Sequence, residues 1–234
     1  MIGAIHDSAL RRGITRLCHF TPSRNLVHIA TDPRGLLATH KLTVDERAVF
    51  NPTDLERFDG YRNHVCCSIQ YPNAWYFRKA RVKDAIFRDW VVLLLRPHYL
   101  WTYGTKFCPR NAAAGGGRFI EEGADAFEAM YAPSVIGAYD KTYTRGPSRS
   151  PSVPTDEQAE ILIPDHVDRE DLLGIVVIDV AQARREIARL QTLGEQVPCV
   201  LIAPDFFDAN GLSAMLRVGR SPVEDQFYAG DSDG

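Results

Sequence analysis

The sequence predicts an α+β domain, on three observations. Short apolar runs of strand length recur along the whole chain. Helical patterns separate only some of them, so there is no clean β-α-β alternation. No G-x-G-x-x-G or G-x-x-x-x-G-K-[ST] pattern occurs, which argues against a Rossmann site or a P-loop. With 234 residues, 45% of them hydrophobic, the chain can bury an ordinary core, and a single domain over 1–234 is expected. The formal charge of -3 says little about partners, so any nucleic-acid site must be a local patch.

The elements follow in order. "RLCHFT" (16–21) reads as a strand, and "SRNLVHIA" (23–30) as a helix with Ser23 as its expected N-cap. "DPRG" breaks the chain. "HVCCSIQ" (64–70) is a second strand. "PNAWYFRKARVKDA" begins with Pro72 near a first helical turn. "WVVLLLRP" (90–97) is almost wholly apolar, as a strand buried on both faces must be. "TKFCP" (105–109) is another short strand. Phe119, Ala126, Phe127 and Met130 have helical spacing, which predicts a helix over 118–132. Strands resume at 159–165, 174–180 and 198–204, with a helix at 181–193. The tail "VEDQFYAGDSDG" is expected to fray. No apolar run reaches the ~18 residues of a membrane span, and the N-terminus lacks a signal-peptide core. Five cysteines without a C-x-x-C pair fit reduced thiols in a cytoplasmic protein and do not have zinc-site spacing. No metal is expected.

Several polar residues stand where plain packing does not require them. Glu160 lies directly before Ile161, Leu162 and Ile163, at the mouth of a strand entering the core. A carboxylate there costs free energy unless something uses it. His19 ends the first strand, and for an isolated histidine half-burial in a core is the ordinary reading. Arg57 lies among Asp54, Glu56 and Asp59, where a weak surface ion-pair cluster is the ordinary one. Ser68 and Gln70, followed by Tyr71, Asn73 and Tyr76, form a wall with hydrogen-bonding groups, or simply core. Residues 139–155 are polar and rich in Pro and Ser. There Tyr139 and Tyr143 interleave with Lys141, Arg145 and Arg149, the rings and cations that single-stranded nucleic acid needs.

Together these stretches resemble a family. "CHFTPSRNL", "ERFDGYRNHVCCSIQYPNAWYF", "PRNAAAGG" and "QAEILIPDHV" are similar, in that order, to four blocks of the DarT family of DNA ADP-ribosyltransferase toxins. The blocks span roughly residues 17–170. The resemblance implies the ADP-ribosyltransferase fold: a split pair of twisted β-sheets with flanking helices and NAD in the cleft. It implies that Glu160 is the catalytic glutamate and that Arg57 faces the NAD phosphates or the transition state, with Arg47 and Arg62 as alternatives. His19 would bond the NAD ribose with Thr21 and Asn25 close by, and Ser68, Tyr71 and Tyr76 would line the pocket. The region from about 110 to 159 would recognise the substrate. "CSIQYPNAWYF" is closer to the guanine-modifying branch, so guanine is the expected base and thymine the alternative. NAD is implied as co-substrate, single-stranded DNA as substrate and an ADP-ribose-removing antitoxin as partner.

Two other readings stay open. The same fold can act on RNA or protein, since nothing in the sequence reads a 2′-hydroxyl. A non-enzymatic nucleic-acid-binding module would use the 139–149 stretch alone and leave Glu160, His19 and Arg57 idle.

Overall fold

The computed structural model describes residues 2–42, 59–83, 88–137 and 140–228. Within them, nine strands join in one mixed sheet. In spatial order these are Asp225–Phe227 (β13), Cys199–Ile202 (β12), Leu172–Val177 (β11), Trp90–Leu95 (β4), Leu17–Pro22 (β1), His64–Ile69 (β3), Glu160–Pro164 (β9), Lys106–Cys108 (β5) and Glu121–Glu122 (β6). Two small ladders lie outside it, Leu36–Leu37 (β2) with His166–Val167 (β10) and Ser134–Ile136 (β7) with Thr142–Thr144 (β8). The helices are Ile2–Arg12 (α1), Ser23–Thr31 (α2), Ala74–Lys83 (α3), Ala124–Ala129 (α4), Val180–Thr192 (α5) and Ala209–Arg217 (α6).

β4 is buried at all six positions because both faces of the sheet are covered. Val91, Leu93 and Leu95 face one core with Leu26, Phe127 and Ile187 from α2, α4 and α5. Val92 and Leu94 face the other, with Phe77 from α3 and Leu212 from α6. β11 and β12 run parallel, and α5 supplies the crossover that parallel neighbours require. Its N-terminus is capped by Asp179, which accepts from the Gln182 amide at 2.7 Å.

The expected split into two sheets takes a continuous form. β1 pairs with β4 over six residues, but with β3 only through Leu17↔Ile69 and Cys18↔Ser68. Beyond Cys18 the two strands part, and the sheet opens between them.

Several expectations are corrected. Ser23 is the first residue of α2 and not its cap; its hydroxyl accepts from Arg189 Nη1 at 3.2 Å. The helix expected over 118–132 is only α4, because Gly123 adopts φ 93° and Glu121–Glu122 pair with β5. The helical spacing of Ala126, Phe127 and Met130 is real, but Phe119 packs in a separate cluster near Ala112 and Ile120. The tail is not frayed as far as Phe227. β13 pairs with β12, and Glu224 takes a two-pronged grip from Arg16, at 2.5 and 2.6 Å. Helices α1 and α6 were not anticipated; Ile5 and Ala9 of α1 are buried one turn apart. Among the described residues no helix is long and apolar enough to cross a membrane.

Candidate active site

Glu160 begins β9 with its side chain in the interior, 8% exposed. Its Oε1 accepts from Asn73 Nδ2 and Asn111 Nδ2, both at 3.1 Å, and Oε2 accepts from the Ala112 amide at 3.0 Å. Three donors on one carboxylate offset much of the cost of burying it and fix its orientation. β9 is held between β3 and β5, with Glu160 opposite Cys108, so the backbone beneath the carboxylate is rigid.

Sequence reasoning quoted these two asparagines within the family-like blocks but assigned them no role. Asn73 was otherwise part of a polar wall. Its Oδ1 accepts from the Tyr76 amide at 3.1 Å, the N-cap bond of α3, while its Nδ2 holds Glu160. An asparagine one residue before a helical pattern was the available signal. Asn111 sits in "RNAAAGGG", which is a turn and not a loose linker. Gly117, at φ 79°, is where that turn crosses the chain at Asp59. A Cβ there would stand 2.4 Å from the Asp59 carbonyl oxygen.

Glu160 lines a cleft, open to solvent, at the parting of β1 and β3. One wall is apolar, with Ile29, Leu36, Leu37 and Leu42. Polar groups in the same lining come from His19, Thr21, Asn25, Ser68 and Tyr76. His19 Nδ1 lies 2.8 Å from the Cys66 carbonyl, across the gap where the strands no longer pair. A carbonyl can only accept, so Nδ1 carries the proton; in the neutral tautomer that leaves Nε2 as the acceptor nitrogen. Asn25 Nδ2 donates to Thr21 Oγ1 at 2.9 Å, joining the start of α2 to β1. Asn25 Oδ1 is buried without a partner, an acceptor that a ligand's hydroxyl or amide can satisfy. Two of the cleft cysteines do not offer a ready nucleophile, since burial pushes Cys18 up to about 12 and Cys67 well above its ordinary value.

Other expected residues lie elsewhere. Tyr71 is packed in the second core against Phe206, at 5.8 Å between ring centres, and does not line the cleft. Gln70 at φ 68° turns the chain after β3 and sends the tyrosine to the opposite face. Arg62 is exposed and does not line the cleft. Arg57, Arg47 and Tyr139 lie outside the described residues. Of the basic stretch, Lys141 faces solvent 5.2 Å from the centre of the half-buried Tyr143 ring. Arg145 and Arg149 turn inward. Arg145 donates to the Val153 and Ser150 carbonyls at 2.8 and 2.7 Å, and Arg149 to the Pro154 carbonyl at 2.8 Å. Their planar forks close the loop on itself, which removes them from a backbone-tracking role.

Asp156 is buried beneath this loop. Its Oδ1 accepts from the Gln158 amide at 2.9 Å, and Oδ2 has no hydrogen-bond partner. Burial pushes its pKa up from 3.8 to about 6, with Glu157 adding to the rise. Because the folded value lies above the unfolded one, the native state binds the proton more tightly. Stability from this group is complete below about pH 4 and is lost as pH rises through about 6. The loss is up to about 3 kcal/mol. Asp156→Asn keeps the Gln158 bond and removes the titration. Denaturant midpoints should therefore converge for the two proteins at pH 4 and separate at pH 7, with the variant more stable. Equal midpoints at both pH values would show that the ionised form is not penalised.

Comparison with known proteins places this geometry in a class. Three solved structures share the fold. The Thermus sp. 2.9 DarT in complex with NAD+ matches at 16% identity and TM-score 0.53, covering 82% of this chain and 97% of that one. The same protein in complex with ADP-ribosylated ssDNA matches at 14% identity and TM-score 0.53, over 83% and 97%. The Thermosipho africanus DarTG in complex with ADP-ribose matches at 15% identity and TM-score 0.51, over 82% of this chain and 51% of that one. The chain thus spans about half the length of the Thermosipho protein. A comparison with curated proteins found no match. The family model for "ssDNA thymidine ADP-ribosyltransferase, DarT" matches residues 18–208. The chain belongs to the DarT family of single-stranded-DNA ADP-ribosyltransferases. The matched model is named for thymidine, and the expectation of a guanine-modifying branch gains no support from it.

Proposed function

We propose that this chain transfers ADP-ribose from NAD+ to thymine in single-stranded DNA, as the toxin of a toxin–antitoxin pair whose antitoxin removes the modification. The observation that carries this reading is Glu160, a buried carboxylate clamped by three donors at the head of a cleft that also holds His19. The co-substrate supplies an N-glycosidic bond whose cleavage leaves positive character on the ribose carbon. A preorganised carboxylate stabilises that charge and can take the proton from the attacking nitrogen. Thymine in DNA has one N–H, on its Watson–Crick edge, so the base must be unpaired to react, which single strands offer cheaply. His19 Nε2 is suited to accept from a ribose hydroxyl, and Asn25 Oδ1 to accept from a second donor. Arg57 remains the proposed phosphate-facing arginine. Lys141 and Tyr143 remain the proposed DNA contacts of the 110–159 region.

Labelled NAD+ incubated with separate single-stranded DNA, duplex, RNA and protein pools tests the activity. Label is expected on single-stranded DNA and to vanish from oligonucleotides lacking thymine. Label confined to RNA or protein would overturn the substrate, and label on thymine-free, guanine-containing strands would restore guanine. For the cleft, His19→Ala should weaken NAD+ binding by about 1–3 kcal/mol, the cost of a buried hydrogen bond left unmade. Calorimetry checks it, and unchanged affinity returns His19 to a purely structural bridge to Cys66.

A further inference from the structure

The exposed side of α3 carries a feature that the cleft chemistry does not use. Arg78 is exposed, and its guanidinium lies over the ring of Trp75, with Cζ 4.8 Å from the ring centre. Trp75 is half-buried against the second core, and its Nε1 donates to Glu157 Oε2 at 3.3 Å. The ring is therefore fixed from two sides, and the exposed guanidinium sits over it. Among the described residues Arg78 makes no ion pair.

The position of this stack is specific. Trp75 lies between Asn73, which clamps Glu160, and Tyr76, which lines the cleft. Glu157, its hydrogen-bond partner, is three residues before Glu160. The stack thus sits in the first turns of α3, the helix whose Tyr76 lines the cleft. Its surroundings are basic in a chain of net charge -3. α3 contains no acidic residue and exposes Lys79 and Lys83 beside Arg78. Glu157 is already matched by Arg149 at 3.4 Å and Arg217 at 3.8 Å. Arg81 does not contribute, because it turns inward to the Phe207 carbonyl at 3.0 Å.

We propose that Arg78, seated over Trp75, is the stacking platform for a nucleotide neighbouring the target base in single-stranded DNA. A planar cation stacks on any base and attracts the backbone as well, so the platform holds the strand at the cleft mouth with little sequence preference. This inference rests on the proposed function and adds a surface to it.

The test is transfer to short oligonucleotides carrying one abasic site at successive positions around the target, at saturating NAD+. In the wild type, one flanking abasic position should lower kcat/KM for DNA by about 5- to 100-fold. Arg78→Ala and Arg78→Lys should each lower kcat/KM on the intact strand by a comparable factor, and that abasic site should then cost nothing more. KM for NAD+ should not move. Three results overturn the platform: wild-type kcat/KM in Arg78→Lys on the intact strand, which leaves only charge; an undiminished abasic penalty in Arg78→Ala; or a raised KM for NAD+. If the wild type modifies no single-stranded DNA at all, the proposed function fails first and the platform with it.

Discussion

Replacing Glu160 with glutamine is expected to lower ADP-ribosyl transfer by at least about 10²–10³-fold while NAD+ affinity changes little. A group that acts chiefly on charge developing in the transition state contributes little to ground-state binding. Glutamine is the informative replacement because of what surrounds the site. Alanine would leave Asn73 Nδ2, Asn111 Nδ2 and the Ala112 amide without their acceptor. Each lost partner in the interior costs about 1–3 kcal/mol, so an inactive alanine variant could simply be a damaged one. Glutamine keeps the volume and one acceptor oxygen. It loses the charge and sets its amide group against a donor. Single-turnover transfer and NAD+ calorimetry on the same preparation separate the two effects. A folded Glu160→Gln protein with near-wild-type transfer would remove Glu160 from the chemistry.

Glu224→Ala is expected to destabilise the fold by about 2–4 kcal/mol, although Glu224 lies far from the cleft in sequence. Its carboxylate accepts from both terminal nitrogens of Arg16, whose Nε donates to the Gln70 carbonyl at 2.9 Å. Arg16 directly precedes β1, and Gln70 directly follows β3, at the end where those two strands still pair. Removing the carboxylate leaves a largely buried guanidinium with the acceptors of both terminal nitrogens lost, which is the costly way to break such a pair. The remaining exposure of both side chains, 12% and 20%, keeps the estimate below that of a fully buried pair. Chemical denaturation measures it. Glu224→Gln should recover part of the loss by keeping one hydrogen bond. A change below about 0.5 kcal/mol would mean that the tail is held by β13 pairing alone, within the usual range for surface substitutions.

Much of the fold was legible because strands and helices are written in neighbours a few residues apart. The uninterrupted run at 90–97 required burial on both faces, and β4 has it. The spacing at 181–193 matched α5 to within one residue. Local patterns failed where one backbone angle overruled them, at Gly123 within the expected 118–132 helix and at Gln70 before Tyr71. They failed again for the basic stretch. Arg145 and Arg149 read as cations free to meet nucleic acid, but the loop turns back far enough for its own carbonyls to take them.

By itself the sequence determined where most strands of the main sheet and the helices α2, α3 and α5 lie, and that Glu160 stands at the mouth of a buried strand. The order of its motifs also carried the family resemblance. Only the tertiary structure decided what makes that carboxylate tolerable. Its partners Asn73 and Asn111 are 87 and 49 residues away along the chain. No local pattern encodes such a distance. Sheet order does, because β3 and β5 flank β9 and carry the turns that follow them to the same end as Glu160. The cleft has the same origin. It exists because β1 keeps all six pairs with β4 but only two with β3, a choice between neighbours that is made only when the sheet assembles.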